Sequence, residues 1–366
     1  MQPDFIGRAG LQQRVLPSYR RPFFELLGSV CKGGLSVFAG QPRQIESIKP
    51  ATSLTNVDLV PVRNLHIMSG PAYLCYQFGL QAWLERWSPQ VLILEANPRY
   101  LSSRTAIRWM HRRGRPVIGW GLGAPRATGA LAGLRTVVRR EFISQFDALI
   151  SYSEQGAAEY IELGAPPDRT YVAANAVSPK PGPPPVRQPP ELRAGRVLFV
   201  GRLQARKRVD LLLYACSKLS IPPELMIVGD GPDRDRLESL AAGIYPRAQF
   251  VGQKFGPELQ ACFAWADLFV LPGTGGLAVQ EAMASGLPVV VARGDGTQID
   301  LVSDGNGWLL PADDPAALVD TLQDAFADPG RLHAMGERSY WLVCERFNIE
   351  SMAEVFVQAM NAVMGS

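Results

Sequence analysis

The second half of the chain holds residues whose types and spacing suit a diphosphate. Arg202 and Lys207 follow Gly201 at the end of an apolar run, offering a planar fork and a point charge near a helix start. Further on, Pro272-Gly273-Thr274-Gly275-Gly276 separates the apolar residues 268–271 from a helical pattern beginning at Leu277 and Ala278. Backbone N–H groups left bare by glycine, together with a helix N-terminus, favour an anion there. Glu281 lies one turn into that helix, placed to accept hydrogen bonds from a ribose diol. Plainer readings exist for each. Arg206 and Arg208 flank Lys207 as in a solvated basic run, the glycines could merely turn the chain, and an early carboxylate complements a helix dipole.

These residues need strands and helices to position them, and the pattern supplies them twice. In the first half, strands are expected within 5–15 and at 35–40, 62–68, 91–94, 116–120, 148–152 and 170–174. Helices are expected at 23–31, 73–87, 102–113, 131–146 and 154–163. Residues 178–195 then carry seven prolines and read as an extended linker that joins no core. The alternation restarts with strands at 196–200, 225–228, 249–252, 268–271, 287–291 and 308–310. Helices are expected at 209–219, 233–242, 257–266, 277–285, 315–327, 330–346 and 350–364. The expected fold is α/β, with two doubly wound, Rossmann-like parallel-sheet domains facing a cleft: 1–177, the linker 178–195, and 196–349.

Composition bounds the partners. The 366 residues are 47% hydrophobic and 19% charged, and five scattered cysteines form no CxxC pair. That predicts neither a disulfide framework nor a zinc site, and a cytosolic protein with no membrane span. Net charge is +3, but residues 1–180 carry an excess of nine positive charges and the remainder an excess of six negative ones. Residues 99–140 hold ten arginines and no Asp or Glu. Arg104, Arg108, His111, Arg112 and Arg115 fall on one helical face beside Ile107 and Met110, which suits an anionic membrane surface. Interleaved stacking aromatics are missing, so nucleic acid is not expected. Gly229-Asp230-Gly231-Pro232 is no dinucleotide fingerprint, because Arg234 takes the final glycine's place. Asp233 and Asp235 read as acids of a helix N-terminus, and no other cluster has metal-ligand spacing, so no metal or cofactor is expected. His66, His111 and His333 form no catalytic arrangement.

In order and spacing, Gly201-Arg202-Leu203 with Lys207, Gly229 to Pro232, and Gly275-Gly276-Leu277-Ala278-Val279-Gln280-Glu281 resemble the GT-B glycosyltransferases of the family 4, group 1 type. Asn175-Ala176-Val177 and Asp304-Gly305-Asn306-Gly307 add to the resemblance. It implies a retaining transfer from a UDP- or GDP-sugar to a lipid-linked or polysaccharide acceptor at the cytosolic membrane face. In that picture Arg202 and Lys207 neutralise the leaving diphosphate. Gly201 and the segment Gly273, Thr274, Gly275, Gly276, Leu277 and Ala278 hold the donor, Glu281 its ribose, and Gly252 to Lys254 lie by the base. The first domain holds the acceptor, with Tyr19 and Arg20 beside the arginine face as candidates, and the last helix, 350–366, crosses back to it. Two positions depart from the family. Gly273 stands where a sugar-contacting Glu is usual, and Trp120-Gly121-Leu122-Gly123 lacks the usual histidine. A non-catalytic nucleotide-sugar-binding or scaffold subunit is therefore the main alternative, and a nucleotide-sugar epimerase the second.

Overall fold

A computed structural model describes residues 4–46, 48–187, 195–294, 296–302 and 305–365. The chain divides into two compact units, Met1–Pro179 with Ile349–Ser366, and Lys180–Asn348. In the first, the chain runs β1 (Ala9–Gln13), α1 (Arg21–Val30), β2 (Leu35–Gly40), β3 (Asp58–Val62), β4 (Asn64–Ile67), β5 (Leu74–Gln77), α2 (Leu80–Trp87), β6 (Val91–Glu95) and α3 (Leu101–His111). It continues through β7 (Val117–Gly121), α4 (Ala132–Ile143), β8 (Ala148–Ser151), α5 (Glu154–Glu162) and β9 (Thr170–Val172). Seven parallel strands form the sheet in the order β3-β2-β1-β6-β7-β8-β9. Strands such as Val91–Glu95 are apolar without alternation because helices cover both faces.

One expected element changes identity. The helical reading of 73–87 splits, with 74–77 forming β5, which pairs antiparallel with β4 outside the main sheet. The cause is an inward-facing amide: Gln77 is buried, donating to the Gln13 carbonyl at 3.1 Å and to Asn64 Oδ1 at 3.0 Å. A polar residue on the buried side hides the two-residue period from any sequence reading.

The second unit contains β10 (Arg196–Val200), α6 (Val209–Lys218), β11 (Glu224–Val228), α7 (Arg234–Ile244), β12 (Ala248–Gly252), α8 (Gly256–Trp265) and β13 (Leu268–Leu271). Then follow α9 (Leu277–Ala284), β14 (Val289–Ala292), the short α10 (Thr297–Leu301), β15 (Gly307–Leu310), α11 (Pro315–Ala327) and α12 (Pro329–Glu345). Its six strands run in the order β12-β11-β10-β13-β14-β15, so the order reverses between β10 and β13. Of the proline-rich stretch, residues 188–194 lie outside the described ones. The preceding part carries no helix or strand but is anchored, because Arg187 donates to the carbonyls of Ser285 at 3.0 Å, Phe263 at 3.2 Å and Ala266.

The final helix, α13 (Ile349–Met364), belongs to the first unit. Phe356 is fully buried there, its ring 5.1 Å from Phe23 of α1 and 4.9 Å from Trp120 of β7. Among the described residues no helix is long and apolar enough to cross a membrane.

Candidate active site

The carboxyl ends of β10 and β13 meet at the strand-order reversal, where ligands of open parallel sheets sit. Two loops leave there and are bonded to each other. The Thr274 N–H donates to the Arg206 carbonyl at 3.1 Å, and Arg206 Nη1 donates to Thr274 Oγ1 at 3.0 Å. Lys207 lies across the glycine loop, its ammonium 2.6 Å from the Thr274 carbonyl oxygen. A Cβ added at Gly275 would stand 2.3 Å from that nitrogen, so the charge rests on the loop itself. Arg208 turns the other way, with φ of 54°, and pairs with Asp210 at 3.3 Å and with Asp313. The basic run is therefore divided: Lys207 faces the glycine loop, Arg208 is neutralised by acids.

α9 starts at this loop. Gly276 is its N-cap, no side chain caps it, and its first turn has no acid. The leading N–H groups, including those of Leu277 and Ala278, are thus not capped by a side chain or an acid of the helix's own first turn, and they carry the positive end of its dipole. Gln298 of α10 donates to the Gly275 carbonyl at 3.2 Å and so orients the loop from behind. Glu281, one turn in, is half-buried, and burial lifts its carboxyl above the ordinary carboxylate range. Among the described residues it has no ion pair or hydrogen bond through its side chain, so a ligand hydroxyl could take it. The loop after β10 also carries Arg202, whose side chain is exposed to solvent.

The neighbouring strand ends close the same rim. The Gly201 N–H donates to the Val228 carbonyl at 3.0 Å, and Leu203 to that of Asp230 at 2.9 Å. The Gly252 carbonyl accepts from Gly229 at 2.8 Å. Lys254 is engaged with Glu258 of α8 at 3.4 Å. Asp233 is the N-cap residue of α7 and pairs with Arg236 at 2.7 Å, an ordinary helix-end role. Asp304 of the Asp-Gly-Asn-Gly segment lies outside the described residues.

The missing glutamate at Gly273 has a local explanation. A Cβ there would come 2.3 Å from the Arg206 carbonyl oxygen and 2.7 Å from Lys207 Cα. The backbone crossing that seats Lys207 on the glycine loop thus forbids any side chain at this position. Residues 206 and 273 are far apart in sequence, so no motif could reveal the crossing. Gln298 and α10 also escaped sequence reading, because five helical residues give too little periodicity.

In the first unit the arginine face expected on 104–115 does not stay whole. Arg104 forms a two-pronged bond to Glu141 at 2.7 and 2.8 Å, and His111 meets Asp147 at 3.0 Å. The helix ends at His111, so Arg115 leaves the face and donates to Ser88 Oγ and the Pro89 carbonyl. Ile107 and Met110 are core residues, and of the four arginines expected on that face Arg108 and Arg112 are the exposed ones. Acids from the end of α4 and just after it, invisible as neighbours in the sequence, account for the change. Arg20 is not on the surface either: it is 9% exposed, whereas Tyr19 is 52% exposed. A run of exposed apolar side chains stands instead on and just before α4, at Leu131, Leu134, Val137 and Val138, among Arg126, Arg135 and Arg140.

Two parallel α/β units, one with a glycine-rich loop and a lysine at its strand-order reversal, have the make-up of a GT-B architecture. Residues 194–328 match the family described as glycosyl transferases group 1, and residues 36–176 match the glycosyl transferase 4-like domain. Together they cover most of the chain, which belongs to the GT-B glycosyltransferases of the family 4 type. A GDP-mannose-dependent alpha-mannosyltransferase of Mycobacterium tuberculosis is 36% identical over 157 residues, 40% of each chain. The sulfoquinovosyl transferase SQD2 of Arabidopsis thaliana is 42% identical over 116 residues, 30% of this chain and 22% of the relative. The chain thus aligns with less than half the length of these curated relatives. Among solved structures, Anabaena HepE in complex with UDP superposes with TM-score 0.73 at 16% identity, covering 98% of this chain and 100% of the other. The lipopolysaccharide outer core galactosyltransferase WaaB gives 0.73 at 17% identity, covering 97% and 99%.

Proposed function

We propose that the chain transfers a glycosyl residue from a nucleotide-diphosphate sugar, GDP-mannose being the first donor to try, to a lipid-linked or glycan acceptor with retention at the anomeric carbon. The observation that carries this reading is the Lys207 ammonium held 2.6 Å from the Thr274 carbonyl, on the loop that opens the uncapped α9. Breaking the bond between the anomeric carbon and the diphosphate oxygen leaves negative charge on the phosphates. Lys207, Arg202 and the N–H groups of Gly276, Leu277 and Ala278 would stabilise that charge where it develops. Glu281 would accept from the ribose hydroxyls. Side-chain cations do the neutralising in this scheme, so transfer should persist in the presence of a chelator. The mannosyltransferases among the relatives support the GDP-mannose choice, and their phosphatidylinositol-named members support a lipid acceptor. Work at the membrane face would use α4, whose apolar side chains stand among arginines.

The test is turnover of GDP-mannose and UDP-glucose by the purified protein with a panel of lipid-linked acceptors, alongside calorimetric titration of GDP and UDP. Lys207→Ala should weaken nucleotide binding about tenfold or more, as loss of a charge-assisted contact does. Unchanged affinity would remove the clamp. The competing reading, a nucleotide-sugar-binding subunit without turnover, is favoured by Gly273, where no sugar-contacting side chain fits. Tight nucleotide binding with neither transfer nor donor hydrolysis would decide for it.

A further inference from the structure

The chain enters the second unit through a strap that is fastened behind the glycine loop. Residues 182–186 of it are exposed, but Arg187 is half-buried. Its guanidinium meets carbonyl oxygens and, among the described residues, no carboxylate. Nη1 donates to Ser285 at 3.0 Å and to Phe263 at 3.2 Å, and Nη2 donates to Ala266. Burial disfavours its charged form, and the field of Asp267 offsets only part of that. These carbonyls are helix ends. Phe263 lies in the last turn of α8, Ala266 is the C-cap of α8, and Ser285 is the C-cap of α9. Neither helix has a basic residue in its own last turn, so Arg187 brings from outside the cation that suits both dipoles.

At α9 the strap fits closely. Gly286 has φ of 69°, its N–H donates to the Met283 carbonyl at 2.9 Å, and that of Leu287 donates to Ala282 at 3.1 Å. This left-handed glycine ending satisfies two of the last carbonyls, and Arg187 takes that of Ser285. A Cβ at Gly286 would stand 3.0 Å from Pro185 Cγ and 3.2 Å from Arg187 Cδ, so the strap lies on the turn itself. Further up the strap, the Gly182 carbonyl accepts from the Tyr340 hydroxyl of α12, the helix packed against α9. With eight residues, α9 is only about 12 Å long. A helix this short depends on packing and on its ends for its register. One end is held by Arg187; the other opens at Gly276, beside the loop that carries the Lys207 ammonium.

We propose that Arg187 is a positioning residue for the nucleotide-diphosphate site, tying the strap to the C-terminal end of α9 so that the N–H groups at its other end are fixed against the phosphates. The ligand named here rests on the transferase reading. Because coupling between two sites is reciprocal, a bound nucleotide in turn holds Arg187 in its seat.

Calorimetric titration of the full chain with GDP and UDP, together with amide hydrogen exchange, tests this on wild type, Arg187→Met, Arg187→Lys and Leu322→Ala. Leu322 is buried on α11 and belongs to neither the strap nor α9, so its variant reports destabilisation alone. Arg187→Met should bind the nucleotide that wild type prefers at least about tenfold more weakly. In its ligand-free form the amides of α9 should exchange at least about tenfold faster, those of α7 being unchanged. Arg187→Lys, which keeps the charge and three donors, should fall between the two. Leu322→Ala should melt lower yet keep its nucleotide affinity within about twofold. A trypsin cut after Arg187 requires the guanidinium to leave its carbonyls, so nucleotide should slow that cut in wild type about fivefold or more. Failure of wild type to bind either nucleotide overturns the transferase reading and this proposal with it. Binding by wild type with unchanged affinity in Arg187→Met overturns the proposal alone and leaves Arg187 a cap of two helices. An equal loss in Leu322→Ala, or a cut after Arg187 that nucleotide does not slow, overturns it as well.

Discussion

Gly273 and Gly121 show how single positions constrain the chemistry. Gly273 stands where the family's glutamate is usual and Gly121 lies in the turn that lacks the family's histidine, and a Cβ at either would meet a neighbouring group too closely. A Cβ at Gly121 would sit 2.6 Å from the Tyr160 hydroxyl, much as one at Gly273 would strike the Arg206 carbonyl. On the proposed transferase reading, recognition of the donor sugar falls to other groups. Glu281 makes a sharper prediction. Its folded-state carboxyl is raised by burial, so the ionised form is the one the fold disfavours. That cost is absent while the group is protonated and appears as pH rises through the ordinary carboxylate value towards the raised one. Glu281→Gln should thus be more stable than wild type at neutral pH and equal to it in acid, while binding GDP more weakly. Thermal melts at both pH values, paired with GDP titration, check the two halves of that expectation.

α4 carries the corresponding prediction at the scale of an element. Phe142 and Ile143, at its end, are buried, whereas Leu134 and Val137 are 61% and 64% exposed. The helix therefore leaves the core with its apolar stripe uncovered and its arginines around it. Each such side chain gains about 1.5–3 kcal/mol on transfer from water into an apolar phase. Leu134→Asp with Val137→Asp should abolish flotation on vesicles containing anionic lipid, whereas Arg104→Ala, which breaks the bond to Glu141, should leave it unchanged. Equal flotation of the double variant and wild type would remove α4 from the membrane. The contrast also shows what sequence could convey. Continuous apolar runs marked central strands such as β2, β6, β7, β10 and β13, and glycine turns after them marked the rim of the second unit, whereas β3 (Asp58–Val62) fell almost wholly outside the strand expected at 62–68. The hairpin of β4 and β5 escaped because Gln77 faces inward. The fate of the arginine face depended on Glu141 and Asp147 reaching back to α3, and Arg20 read as surface because nothing local shows Trp120 and Tyr152 enclosing it. Periodicity reports local backbone geometry; pairings between distant loops leave no such trace.

The two units differ in continuity. The second, Lys180–Asn348, is one run of chain, but the first is closed by α13, which returns after the second is complete. Phe356 fills the space between Phe23 and Trp120, so Phe356→Ala should cost about 3–5 kcal/mol, as large-to-small changes in packed cores do. Calorimetry should show the loss in one transition only, with the second unit's transition unmoved by nucleotide-free measurement and still raised by GDP. The same arrangement sets an order of events during synthesis. At about 5–20 residues per second, the second unit takes on the order of ten seconds or more to emerge. Throughout that interval the nascent first unit lacks its closing helix, and Phe23, Phe24 and Trp120, all buried in the finished protein, have no α13 to cover them. The ribosome therefore delivers a completed second unit while the first is still open, and chaperones would find their target on α1 and β7.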